Sequence, residues 1–357
     1  MPRKGGPPML SVGEAGTSDG VDTTEKKFFD VTASGTFNKD DFRVKSTGIA
    51  ATPAGAGRVS DLAMSDLQIE DTPIGGGASG MVRRALHVPT KKMIAVKSIN
   101  VTDKSKCDQM MTELKILVAA EKVCPNVVQF FDAFWQPPFV HLAIELMDGG
   151  SLDHQLAACQ VPSEEVVAVI IRQLCNGINF LHKERHNLHR DMKPGNVLIN
   201  SQGNVKVADF GISRSMENTM ALAATFTGTA IYMAPERMEG KPYSFPADVW
   251  AVGLIAFECA VGRYPYSLKA DMKYFDLVMT IVNQPPPLPG ATCSKELNSF
   301  IESALTKAPQ HRGTCESLLQ HDFISKFKAS EEACVGAWMR KGDVIKEDTE
   351  AGGLLGP

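Results

Sequence analysis

Hydrophobic positions along this chain change period several times, and each change predicts an element. Between Leu67 and Glu145, short apolar runs bounded by turn residues predict strands at Leu67–Ile69, Ile74–Val82, Ala85–Val88, Met93–Lys97, 127–131 and Phe139–Glu145. One stretch in that series is helical: from about Lys106 to Lys122, Met110, Met111, Leu114, Leu117 and Val118 recur at helical spacing, and Glu113 shares a face with Leu117. Later patterns are mostly helical. Ser163, with Glu164 and Glu165 after it, predicts the start of a long helix whose apolar stripe is Val167, Ile170, Ile171, Leu174, Ile178 and Leu181. Pro246 to Gly262 is apolar nearly all round, as in a helix buried in a core, so its early acid Asp248 needs hydrogen-bond partners there. Further helical stretches are expected at 272–282, 295–305 and 315–320, the first two separated by QPPPLPG. Residues 1–64 carry few large apolar side chains and are expected to be mostly disordered. Within them, Phe28, Phe29, Phe37 and Phe42 are unusual for such an arm and could pack on the folded domain.

Composition narrows the class. The chain has 357 residues, 43% of them hydrophobic, which suits one two-lobed domain with tails. A net charge of -4 gives no long-range attraction to nucleic acid or to an anionic membrane, so neither is an expected partner. Eight cysteines without metal-ligand spacing read as reduced thiols. No 18-residue apolar run and no signal-type apolar segment occurs, and a cytoplasmic protein is expected.

The chemistry lies in three motifs. Ile74-Gly75-Gly76-Gly77-Ala78-Ser79-Gly80-Met81-Val82 removes side chains where backbone N–H groups can approach phosphates. Such a run alone is weak evidence, since dinucleotide-binding folds share it. Those folds continue into a helix, whereas this chain continues into a second strand and then Ala95-Val96-Lys97. HRDMKPGNVLIN and VKVADFG then supply Asp191, Asn196 and Asp209: one acid to receive a hydroxyl proton, and an amide plus an acid as Mg²⁺ ligands. Any of these acids alone is more often a turn or cap residue; their joint order and spacing point to phosphoryl transfer.

This set, closed by GTAIYMAPE at Glu236, resembles the eukaryotic protein kinases. The resemblance implies an α+β bilobal fold over residues 65–325: a small β-rich N-lobe (65–145) with one main helix, and a larger, mostly helical C-lobe (149–325). It implies ATP and Mg²⁺ as cofactors. Ile74 through Gly80, Val82 and Ala95 would enclose the nucleotide, and backbone groups of Glu145 and Met147 would meet adenine beside the gatekeeper Ile144. Lys97, paired with Glu113, would grip the phosphates; Asp191 would be the catalytic acid–base residue, Lys193 its cationic neighbour, and Asn196 and Asp209 the metal ligands. Arg312 would pair with Glu236, and Thr229 would contact Asp191 and Lys193.

Finer motifs are similar to those of the MAP kinase kinases: MDGGSLD, TFTGTAIYMAPER, SFPADVWAVGL and AVGRYPY, with Thr219 and Thr225 separated by five residues as in the plant-type activation loop. The implied activity is dual-specificity transfer to the activation-loop Thr and Tyr of a MAP kinase, after activation by an upstream MAP kinase kinase kinase at Thr219 and Thr225. Arg3, Lys4, Leu10 and Val12, within 3–12, resemble a MAP kinase docking peptide, although an ordinary disordered start fits them as well. FFDVTASGTFNKDDFRV resembles the N-terminal segment of plant members. In the tail 326–357, SEEACVGAWM at 330–339 resembles the docking segment gripped by upstream kinases, while the spacing of Val335, Trp338 and Met339 suits a cap on the lobe equally. Two rival readings remain: another serine/threonine kinase of the same branch, and a pseudokinase scaffold.

Overall fold

The computed structural model describes residues 29–52, 62–77, 80–210, 230–266 and 274–340. Its first folded segment corrects the expectation for 1–64. Residues 29–52, read above as part of a mostly disordered arm, form a four-stranded antiparallel sheet of β1 (Asp30–Val31), β2 (Phe37–Lys39), β3 (Phe42–Lys45) and β4 (Gly48–Ala51). Four apolar side chains suffice to anchor it: Phe37, Phe42, Val44 and Ile49 are buried in the same cluster as the main core. Full burial of each is worth about 1.5–3 kcal/mol, which adds to the sheet's own backbone hydrogen bonds in holding the segment against the main core. Phe29 and Phe37 lie 6.1 and 5.2 Å from the Trp135 ring, and Asp132 accepts the Ile49 N–H at 2.8 Å. The spaced aromatics do pack on the folded domain.

The sheet they pack on is antiparallel, in the order β5-β6-β7-β9-β8, from β5 (Leu67–Gly77), β6 (Gly80–His87), β7 (Lys92–Asn100), β8 (Phe130–Gln136) and β9 (Phe139–Glu145). Helix α1 (Lys104–Ala120) joins β7 to β8 and packs on both. It starts two residues earlier than expected because Asp103 caps it, accepting the Lys106 N–H at 3.0 Å. The strand expected at 127–131 begins only at Phe130. Val127 and Val128 are drawn instead to Val207, where Val128 donates to its carbonyl at 3.2 Å.

Beyond residue 150 helices dominate: α2 (Leu152–Ala158), α3 (Glu164–Lys183), α4 (Pro235–Met238), α5 (Pro246–Val261), α6 (Tyr274–Asn283), α7 (Lys295–Ala304), α8 (Cys315–Leu319) and α9 (Asp322–Lys326), with one small hairpin, β10 (Val197–Ile199) and β11 (Val205–Val207). Ser163 caps α3 as its sequence predicts. Helix α5 is buried on nearly every side, with Trp250, Val252, Leu254 and Ile255 fully enclosed. A last helical segment, 333–340, folds back on this lobe. Its Val335, Trp338 and Met339 are buried, and the Trp338 indole donates to the Gln160 carbonyl at 2.7 Å. Of the two readings of 330–339, the cap on the lobe is the arrangement seen. No helix among the described residues is long and apolar enough to cross a membrane.

Candidate active site

The site forms where the β5–β9 sheet faces β10, β11 and the loops around them. Its roof is the β5–β6 hairpin, in register Gly75↔Val82, Gly76↔Met81 and Gly77↔Gly80; Ala78 and Ser79 lie outside the described residues. The glycines there are not equivalent. A Cβ on Gly80 would sit 2.7 Å from the Ser98 carbonyl oxygen, at φ +125°, so the fold itself requires glycine. At Gly75, Gly76 and Gly77 no atom of the described residues beyond their chain neighbours lies closer than 3.9 Å to such a Cβ, and φ lies outside the left-handed region. Among the described residues nothing demands those three bare positions, which suits a backbone that a ligand approaches closely. Ile74, nearly half exposed at the hairpin's root, is an apolar surface of the kind a flat ring covers.

Lys97 lies on β7 opposite Val82 and Leu142, and its side chain is buried. Its ammonium donates to both Glu113 oxygens, at 2.7 and 2.8 Å, and also bonds Asp209. Helix α1 therefore delivers Glu113 to the lysine as the sequence predicts. Burial works against a charged lysine, but the two carboxylates reverse that effect and raise its pKa, so it stays an ammonium. Burial likewise opposes ionisation of Asp209, yet the charge and hydrogen bond of Lys97 prevail and lower its pKa.

At the edge of β9, Ile144 and Met147 are buried and Ala95 faces Ile144 across the strand pair. Gln129 takes the Glu145 N–H at 2.9 Å and Gly150 donates to the Met147 carbonyl at 3.0 Å. The Glu145 carbonyl and the Met147 N–H, an acceptor and a donor two residues apart on this edge, are the groups the sequence leads one to expect opposite a flat ring edge with one donor and one acceptor. The Glu145 carboxylate is engaged elsewhere, accepting from Lys206 at 2.6 Å.

The floor is the loop from His189 to Asn196. Asp191 is buried; Lys193 donates to its Oδ2 at 3.0 Å, and the Asn196 amide donates to the same oxygen at 3.0 Å and to the Asp191 carbonyl at 2.6 Å. Both Asn196 bonds use its nitrogen, so its oxygen is the amide atom suited to a cation. With Asp209 it makes a hard-oxygen pair, the donor type Mg²⁺ takes when phosphates complete its shell. Among the described residues no group of three or more His, Cys, Asp or Glu could hold a metal by itself. The donor set fits a metal that arrives with a nucleotide.

Support from beneath comes largely from Asp248. It accepts the N–H groups of His189 and Arg190 at 2.8 and 2.9 Å, the partnering its burial requires, and His182 at 2.9 Å. Arg190 and Asp209 adopt left-handed φ values of 69° and 64°, each costing roughly 1–3 kcal/mol unless the surroundings impose it. Arg237 helps to impose the first, donating to the Arg190 carbonyl at 2.7 Å. The His189 ring donates through Nε2 to the Ala208 carbonyl at 2.9 Å and stands edge-on to Phe210, linking the floor to Asp209. Sequence reasoning missed His182 and Arg237. The lone acid in an apolar helix was a usable signal for the first; nothing local marks the second. Arg312 grips Glu236 through two bonds, 2.8 and 2.9 Å, both side chains buried, as expected. Thr219, Thr225 and Thr229 lie outside the described residues, as does the 3–12 peptide.

A glycine roof, a lysine held by a helix glutamate and an acid–amide floor define a protein kinase, and the protein kinase domain family matches residues 69–324. The chain is 38% identical over 314 residues to mitogen-activated protein kinase kinase 2 of Arabidopsis thaliana, covering 84% of this chain and 86% of that one. It is 42% identical to mitogen-activated protein kinase kinase 3 of the same plant over 71% of its own length, and spans about half, 49%, of that relative. To the dual specificity mitogen-activated protein kinase kinase dSOR1 of Drosophila melanogaster it is 33% identical, covering 80% of this chain and 76% of the fly protein. The chain belongs to the MAP kinase kinase family.

Proposed function

We propose that this enzyme transfers the γ-phosphoryl group of ATP to the activation-loop Thr and Tyr of a MAP kinase, and that it is switched on by an upstream MAP kinase kinase kinase acting at Thr219 and Thr225. The observation that carries the catalytic part is the unbroken chain Glu113–Lys97–Asp209 facing Asn196–Asp191–Lys193. Bound ATP and Mg²⁺ supply an activated phosphoryl group whose charge is partly neutralised. Lys97 holds the phosphates, and Glu113 holds Lys97. Asn196 and Asp209 give oxygens to the metal. Asp191 orients the acceptor hydroxyl and takes its proton as the new P–O bond forms, and Lys193 beside it offsets charge on the group in flight. Every member of that set occurs in the sequence, and the hydrogen bonds among them support a catalytic reading over a non-catalytic scaffold.

Family membership and the paired threonines support the substrate and the switch. A phosphate on either threonine adds close to two negative charges, enough to order a loop against cations such as Arg190 or Arg214. The test is incubation with kinase-dead MAP kinases followed by mass spectrometry. Double labelling on the activation-loop Thr and Tyr is expected; labelling confined to Ser or Thr elsewhere would point to another serine/threonine kinase of this branch. Replacing Thr219 and Thr225 by Asp is expected to raise basal activity, and an unchanged rate would place the switch elsewhere.

A further inference from the structure

The hairpin joining β2 to β3 has a two-residue tip, Asp40-Asp41, with φ of 48° and 67°, the positive values that a tight primed turn demands. Apolar burial fixes its base on β8, with Phe37 against Trp135 and Phe42 and Val44 in the shared core, and the neighbouring β4 adds a hydrogen bond from the Ile49 N–H to the Asp132 carboxylate. Its tip reaches α1. Lys39 bonds Asp108, and Asp40 accepts from Lys115 at 2.8 Å.

Asp108 and Lys115 are seven residues apart, two helical turns, and so lie on one face of α1. Glu113 lies about 140° round the helix from the first and about 160° from the second. One side of α1 is thus clamped by the hairpin while the opposite side presents Glu113 to Lys97. The two clamps bracket Glu113 along the axis, so they oppose both rotation and withdrawal of the helix. They also alternate in sign: cation to acid at one end, acid to cation at the other, which fixes the hairpin's register on the helix.

We infer that the β1–β4 sheet is a brace that holds α1 where Glu113 engages Lys97, with Lys39 and Asp40 as its positioning residues. Nothing in this depends on which protein accepts the phosphoryl group. A hairpin anchored on the rigid sheet couples the segment before residue 52 to nucleotide binding, because Lys97 grips phosphate well only while Glu113 holds it.

The test swaps charges without changing net charge. In the full chain, Lys39→Glu with Asp40→Lys puts like charges at both clamps; adding Asp108→Lys and Lys115→Glu restores both pairs in reverse. The first variant is expected to bind a fluorescent ATP analogue about fivefold or more weakly and to exchange the amides of Lys104–Ala120 faster. Asp40 is exposed, but the Lys39 side chain is only 10% so, and reversing it is expected to lower the melting temperature as well; the fourfold variant separates that cost from loss of the clamp. The fourfold variant is expected to recover affinity and amide protection. A tip swap that leaves affinity and α1 exchange unchanged would overturn the inference, as would a loss that the reversed pairs fail to restore. Neither readout involves a protein substrate, so failure here is distinct from failure of the MAP kinase assignment.

Discussion

Asp191 is the residue at which chemistry and architecture separate most cleanly. It receives hydrogen bonds from Lys193 and Asn196 but contributes no apolar burial, so exchanging its charge for an amide should cost the reaction far more than the fold. We expect Asp191→Asn to lower kcat by about 10²- to 10⁴-fold, the usual worth of a positioned acid–base group, with little change in KM for ATP. Steady-state kinetics on activated enzyme check this, and an equal loss in KM would show that the acid serves binding instead. The residue was legible because its motif is short and its chemistry dictates its neighbours. His182 was not. A histidine in the last turn of a helix looks like a dipole partner, and only the tertiary approach of α5 turns it into the ligand of a buried carboxylate.

That approach matters for α3 and α5 as elements. Burial pulls the His182 pKa down, but its bonds to Asp248 and Cys315 more than reverse this and bring it to about 9 from 6.5. Burial likewise opposes charge on Asp248, and the His182 bond overrides it, leaving the acid with a lowered pKa. A raised histidine pKa means that the folded form holds the proton more tightly than the unfolded chain. The pair's contribution is therefore lost at the acid end as Asp248 takes up a proton, is complete between about pH 3.8 and 6.5, and fades as pH rises from there through about 9. Melting temperature should fall across that window, and His182→Gln should flatten the slope; a variant with the parent's slope would assign the titration to another group. The helices themselves were readable from period alone, because each buries a stripe or a whole surface in one lobe. The β1–β4 sheet was not readable as a sheet. Its strands are two to four residues long, below the length at which alternation becomes a pattern, and their partners lie far off on β8 and α1.

At the scale of the whole molecule, the segment after α9 closes the large lobe by backbone approach. A Cβ on Gly203, which has φ +88°, would stand 1.8 Å from the Glu332 carbonyl oxygen, so any side chain there must push the segment away. Arg172, which donates to the Ser330 carbonyl at 2.8 Å, and Trp338 would lose their contacts with it. We expect Gly203→Val to destabilise the protein by about 2–4 kcal/mol, from backbone strain together with lost burial of Val335, Trp338 and Met339. Chemical denaturation measures it, and a change under about 0.5 kcal/mol would mean that the segment is not part of the cooperative unit.

The three undemanded glycines of the roof have a consequence for cells. Because a methyl group at Gly76 or Gly77 meets no atom of the described residues beyond its chain neighbours closer than 3.9 Å, Gly77→Ala is expected to keep the fold while blunting the proposed transfer chemistry. Such a copy would keep the surfaces away from the roof unchanged. Expressed beside the natural form, it would act as a decoy, and the signalling that survives it would be the share carried by companionship alone.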